Sequence, residues 1–173
     1  PDSNSNSMVD YLKDYNNLFI VRAFTKLFAI PGLRLGYGVG DAKIISRMWE
    51  RKLPWSVNSL ACRIGSVLNE EKEYLDKTCN WIRIEKDWLY NELNKIDIFK
   101  VFEPQTNFIL VKIIDDRLNA SKLRQQMAQR GVLIRDASNF KFLDDRYFRV
   151  AVKDRESNLK FLRIFNEVIN SVF

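Results

Sequence analysis

Between Glu70 and Ile96 the sequence contains neither glycine nor proline. Tyr74, Trp81, Ile82, Trp88, Leu89, Leu93 and Ile96 recur there at helical spacing. The other positions are rich in charge. The pattern predicts one long amphipathic helix, which either bridges two lobes or lies along a surface. After it the pattern changes. Phe99 to Phe102 and Phe108 to Ile113 read as strands, separated by a Pro104-Gln105 turn. Asn119 or Ser121 can open a helix with Leu123 and Met127 inward, and Gly131 suits its C′ position. Val132 to Ile134 and Tyr147 to Val152 read as two further strands. Asp154 caps a last helix whose apolar stripe is Leu159, Leu162, Phe165, Ile169 and Val172. Residues 97–173 are thus predicted as a strand-strand-helix-strand-strand-helix lobe.

Before the long helix the chain is less regular. Residues 1–16 are Asn/Ser/Asp-rich, then mildly amphipathic through Val9, Leu12 and Tyr15. Residues 17–24 and Leu35 to Val39 read as strands. Asp41 caps a helix to about Lys52, with Ile44, Ile45, Met48 and Trp49 on one side. Leu53-Pro54-Trp55-Ser56 breaks it. A new helix follows from about Val57, with Leu60, Ala61, Ile64 and Leu68 as its stripe.

Composition narrows the classes. With 173 residues, 46% of them hydrophobic and 13% aromatic, the chain can build a real core for one domain and a smaller appendage. No apolar run approaches the ~20 residues of a membrane span. The polar start, Pro1 to Ser7, has no basic-then-apolar pattern, so no export is expected. Cys62 and Cys79 lack metal spacing and read as reduced thiols of a cytoplasmic protein. The absence of histidine excludes a histidine-ligated metal site or a histidine triad within these residues. The net charge of +6 invites a nucleic-acid module that stacks bases on Trp and Phe. Basic and acidic residues alternate, however, without a block of one sign. A solvated mixed surface is the better account, and anionic small molecules would still be attracted.

One stretch points to chemistry: Thr25-Lys26-Leu27-Phe28-Ala29-Ile30-Pro31-Gly32-Leu33-Arg34-Leu35-Gly36-Tyr37. The apolar run Leu18 to Val21 leads into it and reads as a short buried strand. A lysine placed straight after such a strand is poor for packing. Burial would favour its neutral amine, which can attack a carbonyl. Arg34 lies eight residues on and can hold a phosphate in two-pronged fashion. A reactive amine near a phosphate holder suits an aldehyde cofactor with a phosphate handle. The plain alternative is a strand-end lysine in water.

Residues 23–36 resemble the lysine motif of the class I/II aminotransferases. That motif runs small residue, any residue, Ser/Thr/Ala-type residue, Lys, then Arg at the eighth position, an aliphatic residue and Gly. Thr25, Lys26, Arg34, Leu35 and Gly36 match. Ala23 departs, because Ser or Gly is usual there; Thr25 can supply the missing hydroxyl. The resemblance implies an α/β chain, the carboxyl-terminal part of the fold type I architecture, with pyridoxal 5′-phosphate as cofactor and no metal. Residues 1–69 would be a remnant of the cofactor-binding large domain, 70–96 the connecting helix and 97–173 the small domain. Lys26 would be the catalytic amine, with Arg34 and Thr25 at the cofactor phosphate.

The same resemblance assigns other residues. Arg149, within Phe148-Arg149-Val150-Ala151-Val152, fits the family's substrate-carboxylate arginine; alone it also reads as an edge-strand residue in water. The Ile134-Arg135-Asp136 segment followed by Phe148-Arg149-Val150 resembles the branch containing histidinol-phosphate aminotransferase and threonine-phosphate decarboxylase. Ser138-Asn139-Phe140, like Thr25-Lys26 with Ile30-Pro31-Gly32, is similar to the decarboxylase in particular. In that branch the arginine at the Arg135 position helps hold the substrate phosphate, whereas the local reading pairs Arg135 with Asp136. Asn107 resembles the branch's Asn-Phe pair and would face the substrate, though turn chemistry explains it equally well. Pro54-Trp55-Ser56-Val57-Asn58 is similar to a stretch near the cofactor at a subunit boundary; Ser56 or Asn58 also reads as a helix cap.

The expected activity is transamination or decarboxylation of a phosphorylated amino acid or amine, in a cytoplasmic homodimer. Few residues precede Lys26, too few for the sheet that supplies the ring-nitrogen carboxylate and phosphate donors. An isolated fragment would therefore be inactive. A competing reading is a sensor domain of a transcription regulator that binds the cofactor without turnover.

Overall fold

The computed structural model describes residues 7–68 and 70–172. The polar opening from Pro1 to Asn6 lies outside the described residues. The chain divides into two compact units, 1–79 and 80–173.

The mildly amphipathic start of the first unit forms a short 3-10 helix, Met8–Lys13. Two strands follow, β1 (Phe19–Ala23) and β2 (Gly36–Gly40), paired antiparallel with Ala23 opposite Gly36. The predicted buried strand is instead one side of a two-stranded ribbon, and Val21 is 74% exposed. A ribbon without further strands cannot cover its own faces. Gly36 is required: a Cβ there would stand 2.7 Å from the Arg22 carbonyl oxygen. Between the strands run the single turn α1 (Phe24–Leu27) and a 3-10 turn, Pro31–Leu33.

Two helices follow the ribbon. Asp41 caps α2 (Ala42–Glu50) as expected, its carboxylate accepting from the Lys43 N–H at 2.8 Å. Of the predicted α2 side, Met48 and Trp49 are exposed. Asn58 caps α3 (Ser59–Leu68), accepting from the Ala61 N–H at 2.8 Å. Leu60, placed on the α3 stripe by periodicity, is exposed, while Ala61 and Leu68 are buried with Leu35.

The long helix α4 spans Lys72–Leu93. In the second unit come β3 (Phe99–Val101), β4 (Phe108–Ile113), α5 (Ala120–Gln129), β5 (Arg135–Asp136), β6 (Tyr147–Ala151) and α6 (Arg155–Val172). The strands form one antiparallel sheet in the order β3-β4-β6-β5. Asn119 caps α5, and Gly131 ends it at φ 76°. Asp154 caps α6, accepting from the Ser157 N–H at 2.8 Å. The strand expected over Val132 to Ile134 is displaced to Arg135–Asp136. The Val132 N–H bonds back to the Met127 carbonyl, so these residues still close α5.

Strict alternation builds the core. Ile109, Val111, Ile113, Phe148 and Val150 turn inward among Leu89, Leu93, Leu123, Met127, Phe161, Phe165 and Val168. The α6 stripe is shifted from the sequence expectation: Leu159 is 52% exposed, while Asn158 is buried. Asn158 belongs to a polar knot. The guanidinium of Arg155 donates to both carboxylate oxygens of Glu85 at 3.0 and 3.2 Å, and Asn158 donates to Glu85 at 3.1 Å. Arg155 also lies over the Trp88 ring at 4.0 Å. The hydrogen bond from Arg155 holds the Glu85 carboxyl below its ordinary value, and burial opposes this with less weight.

Candidate functional site

In the first unit, Lys26 and Arg34 lie on one connection, at the same end of the β1–β2 ladder. Lys26 sits in α1 and Arg34 two residues before β2. Lys26 is exposed, which corrects the buried lysine expected from the sequence. The reason is local: one turn of helix can bury one side, and Thr25 takes it at 8% exposure. Arg34 is also exposed, and its backbone is left-handed at φ 54°. That conformation lets half-buried Leu33 and buried Leu35 reach the core beneath, while the guanidinium turns back to donate to the Pro31 carbonyl at 3.2 Å.

Two residues hold this connection. Asn58 donates from its amide to the Leu33 carbonyl at 3.3 Å while capping α3. Tyr74 donates to the Leu27 carbonyl at 3.3 Å and stacks on Phe28 with centroids 5.5 Å apart. Helical periodicity assigned Tyr74 to an apolar stripe, and nothing local marks its hydroxyl as a brace. Trp55 stands 96% exposed at φ 63° in the turn before α3.

In the second unit, Arg149 lies on β6 between β4 and β5, so the edge-strand reading fails. Directly opposite it is Arg135. Both belong to the sheet side that alternates with the core. Like charges opposed across a ladder cost roughly 0.2–1 kcal/mol unless something compensates. Among the described residues no carboxylate lies within ion-pairing distance of either arginine. Arg135 does not pair with Asp136: it donates to Asn139 at 2.9 Å, and Asp136 accepts from the Ser138 N–H. Aromatic faces support the guanidinium groups instead. Arg149 lies 4.2 Å from the centre of the Phe108 ring, and both arginines lie within 6 Å of the Phe140 ring. Asn107 is exposed, and its carbonyl accepts from the Val152 N–H at 2.9 Å, fixing the start of β4 beside Arg149. The roles of Phe108 and Phe140 were missed, although their adjacency to Asn107 and Asn139 was visible.

An amine and a guanidinium on one connection offer a nucleophile for an aldehyde and a donor for a phosphate. Two opposed guanidinium groups fit a ligand with two anionic groups. A ribbon-and-helix unit followed by a four-stranded antiparallel sheet backed by helices is the carboxyl-terminal portion of the fold type I architecture. The chain belongs to the class I and II aminotransferase family, whose model matches residues 2–165, and the cofactor of that family is pyridoxal 5′-phosphate. A protein of Caldanaerobacter subterraneus subsp. tengcongensis, provisionally assigned as a threonine-phosphate decarboxylase, is 42% identical over 86% of this chain and 40% of its own length. A histidinol-phosphate aminotransferase of Methanosphaera stadtmanae is 32% identical over 94% of this chain and 44% of its own. The crystal structure of histidinol-phosphate aminotransferase from Clostridium acetobutylicum superimposes with a TM-score of 0.91 and 35% identity, over 97% of this chain and 50% of that one. This chain therefore spans less than half of those two relatives and half of that solved chain.

Proposed function

We propose that these residues are the carboxyl-terminal part of an enzyme that uses pyridoxal phosphate to transaminate or decarboxylate a phosphorylated amino acid or amine. The observation that carries the reading is the opposed pair Arg135 and Arg149, stacked on aromatic rings and without a carboxylate partner. A phosphorylated amino acid supplies both missing anions, whereas a phosphorylated amine such as histidinol phosphate supplies the phosphate alone. The relatives named for histidinol phosphate and threonine phosphate act on phosphorylated molecules, which agrees.

Pyridoxal phosphate, when bound, supplies an electron sink for charge developing at the substrate α-carbon. Lys26 is the amine for its aldehyde, Arg34 the guanidinium for its phosphate, and Thr25 the adjoining hydroxyl. Lys26, as a free amine, takes and returns a proton at the α-carbon. Arg149 clasps the substrate carboxylate, and the Phe108 face holds that guanidinium in place. Its position governs which bond at the α-carbon is broken, and hence transamination or decarboxylation. Arg135, steadied by Asn139, takes the substrate phosphate. Asn107 adds an exposed amide beside Arg149. In this reading residues 1–69 are a large-domain portion, 70–96 the connecting helix and 97–173 the small domain. The working protein is a cytoplasmic homodimer, and residues 1–173 alone do not turn over.

The test uses the protein extended by the segment that its relatives carry before this one. Reduction with borohydride in the presence of pyridoxal phosphate should label Lys26 selectively, and Lys26→Ala should abolish the label. Threonine phosphate and histidinol phosphate then separate the two reactions by carbon dioxide release against keto product. Absence of a Lys26 label in the extended protein overturns the reading, and so does cofactor binding without turnover of either substrate.

A further inference from the structure

The basic residues of the second unit are scattered in sequence, interleaved with acidic ones. The fold gathers four of them on one side of one sheet. Arg135 and Arg149 form one opposed pair. Lys100 on β3 and Lys112 on β4 form another, directly opposite each other in the ladder. Lys112 in turn faces Tyr147, which is two residues from Arg149 on the same side of β6. The lysine pair is thus two residue pairs further along the sheet than the arginine pair, in the next row on the same side.

The surroundings of these lysines are unusual for surface ammonium groups. The Lys100 ammonium lies over the Phe102 ring at 5.4 Å, and that of Lys112 over the Tyr147 ring at 5.1 Å. The two rings stack, with centroids 6.1 Å apart and planes 27° from parallel. Lys112 is half-buried on an interior strand. Among the described residues neither lysine has a carboxylate within ion-pairing distance. Two cations are therefore held on a continuous aromatic floor, opposed to each other and uncompensated. Opposition of like charge across a ladder is unfavourable, and an anion bridging both groups removes the cost. Aromatic faces restrain the long side chains, so less freedom is lost when that anion arrives.

We propose that Lys100 and Lys112, on the floor formed by Phe102 and Tyr147, make a second anion site for a phosphate-monoester or pyrophosphate group. The site is separate from the residues assigned to the cofactor and does not depend on that assignment. Such a group has two sources: a free phosphorylated molecule, or the far end of a ligand already held by Arg135 and Arg149.

Titration calorimetry of the chain with sodium pyrophosphate, and separately with inorganic phosphate, tests this. Replacing both lysines as K100M/K112M removes the charges while keeping the aliphatic stems over the rings. Pyrophosphate affinity should fall by about tenfold or more, since each contact is a charge-assisted one. In R135Q/R149Q, retained affinity identifies a free anion as the ligand. Affinity lost in both double variants identifies one anion reaching across the two pairs. Affinity unchanged in K100M/K112M overturns the proposal, and so does failure of the unaltered chain to bind pyrophosphate at millimolar concentration. Should K100M/K112M fail to fold, K100M alone, an exposed side chain on an edge strand, reports the same contrast at smaller size. No readout involves pyridoxal phosphate or turnover, so failure here is distinct from failure of the enzymatic reading.

Discussion

The two units bury very different amounts of apolar surface. In the second, three helices and a four-stranded sheet enclose a core that includes Phe148, Phe165, Leu89, Leu93, Ile109 and Met127, each essentially inaccessible to solvent. In the first, the buried hydrophobic residues among those described are Leu35, Ala61 and Leu68. There Val21, Leu53 and Trp55 are 74%, 76% and 96% exposed. Exposed apolar side chains occur in the second unit too, Leu133 and Phe142 among them, so the contrast lies in the core. The second unit closes a large core of its own. The first holds one connection, the one bearing Lys26 and Arg34, by a few braces over a thin core. Arg135 and Arg149 are thus carried on a sheet with a closed core, whereas Lys26 and Arg34 are carried on a connection over a thin one.

The largest expected effect is in the second unit. Phe148→Ala should cost about 3–5 kcal/mol in urea unfolding followed by circular dichroism, the usual loss for a large aromatic in a closed core. An equal loss from Leu35→Ala in the first unit would erase the contrast between the units. Next comes the polar knot. Glu85→Gln should cost about 2 kcal/mol at neutral pH, because Arg155 and Asn158 lose a charged acceptor. The Glu85 carboxyl titrates below its unfolded value, so its contribution is complete above that value and is lost as pH falls through the folded one. The gap between the parent chain and Glu85→Gln should therefore close in acid, and unfolding at both pH values measures it. A gap independent of pH would show that the carboxylate does not hold α4 to α6.

Smaller effects probe the ribbon. Gly36→Ala forces a Cβ against the Arg22 carbonyl and should cost about 1–2 kcal/mol. Hydrogen exchange should show that cost in the β1 and β2 amides, with those of β4 and β6 unmoved. Trp55→Ser should change stability by no more than about 0.5 kcal/mol, since the side chain is almost wholly in solvent. A larger loss on unfolding would mean that Trp55 is covered in solution and that the first unit is better closed than it looks.

Periodicity and end signals were legible along the chain. The long helix, β4 and β6, and the caps at Asp41, Asn119 and Asp154 follow from side-chain spacing and from hydrogen bonds reaching only two or three residues. The lysine and arginine motif, likewise contiguous, pointed to the family. Burial was much less legible. Leu18 to Val21 looks like a core strand, and Leu159 looks like a core position, yet whether an apolar residue is covered depends on partners far away in sequence. The short β5 was misplaced because the return from α5 holds Val132 by a backbone bond that no side chain announces.

What the amino-acid order determined by itself was therefore local: where helices start, which strands alternate, and which short motif carries an amine and a guanidinium. Only the tertiary structure decided that Lys26 faces outward, that Arg135 meets Arg149, and that Lys100 meets Lys112. Helix and cap interactions act over a few neighbouring residues, whereas sheet register joins residues many positions apart. For Arg135 and Arg149, that register turned two separate charges into one opposed pair.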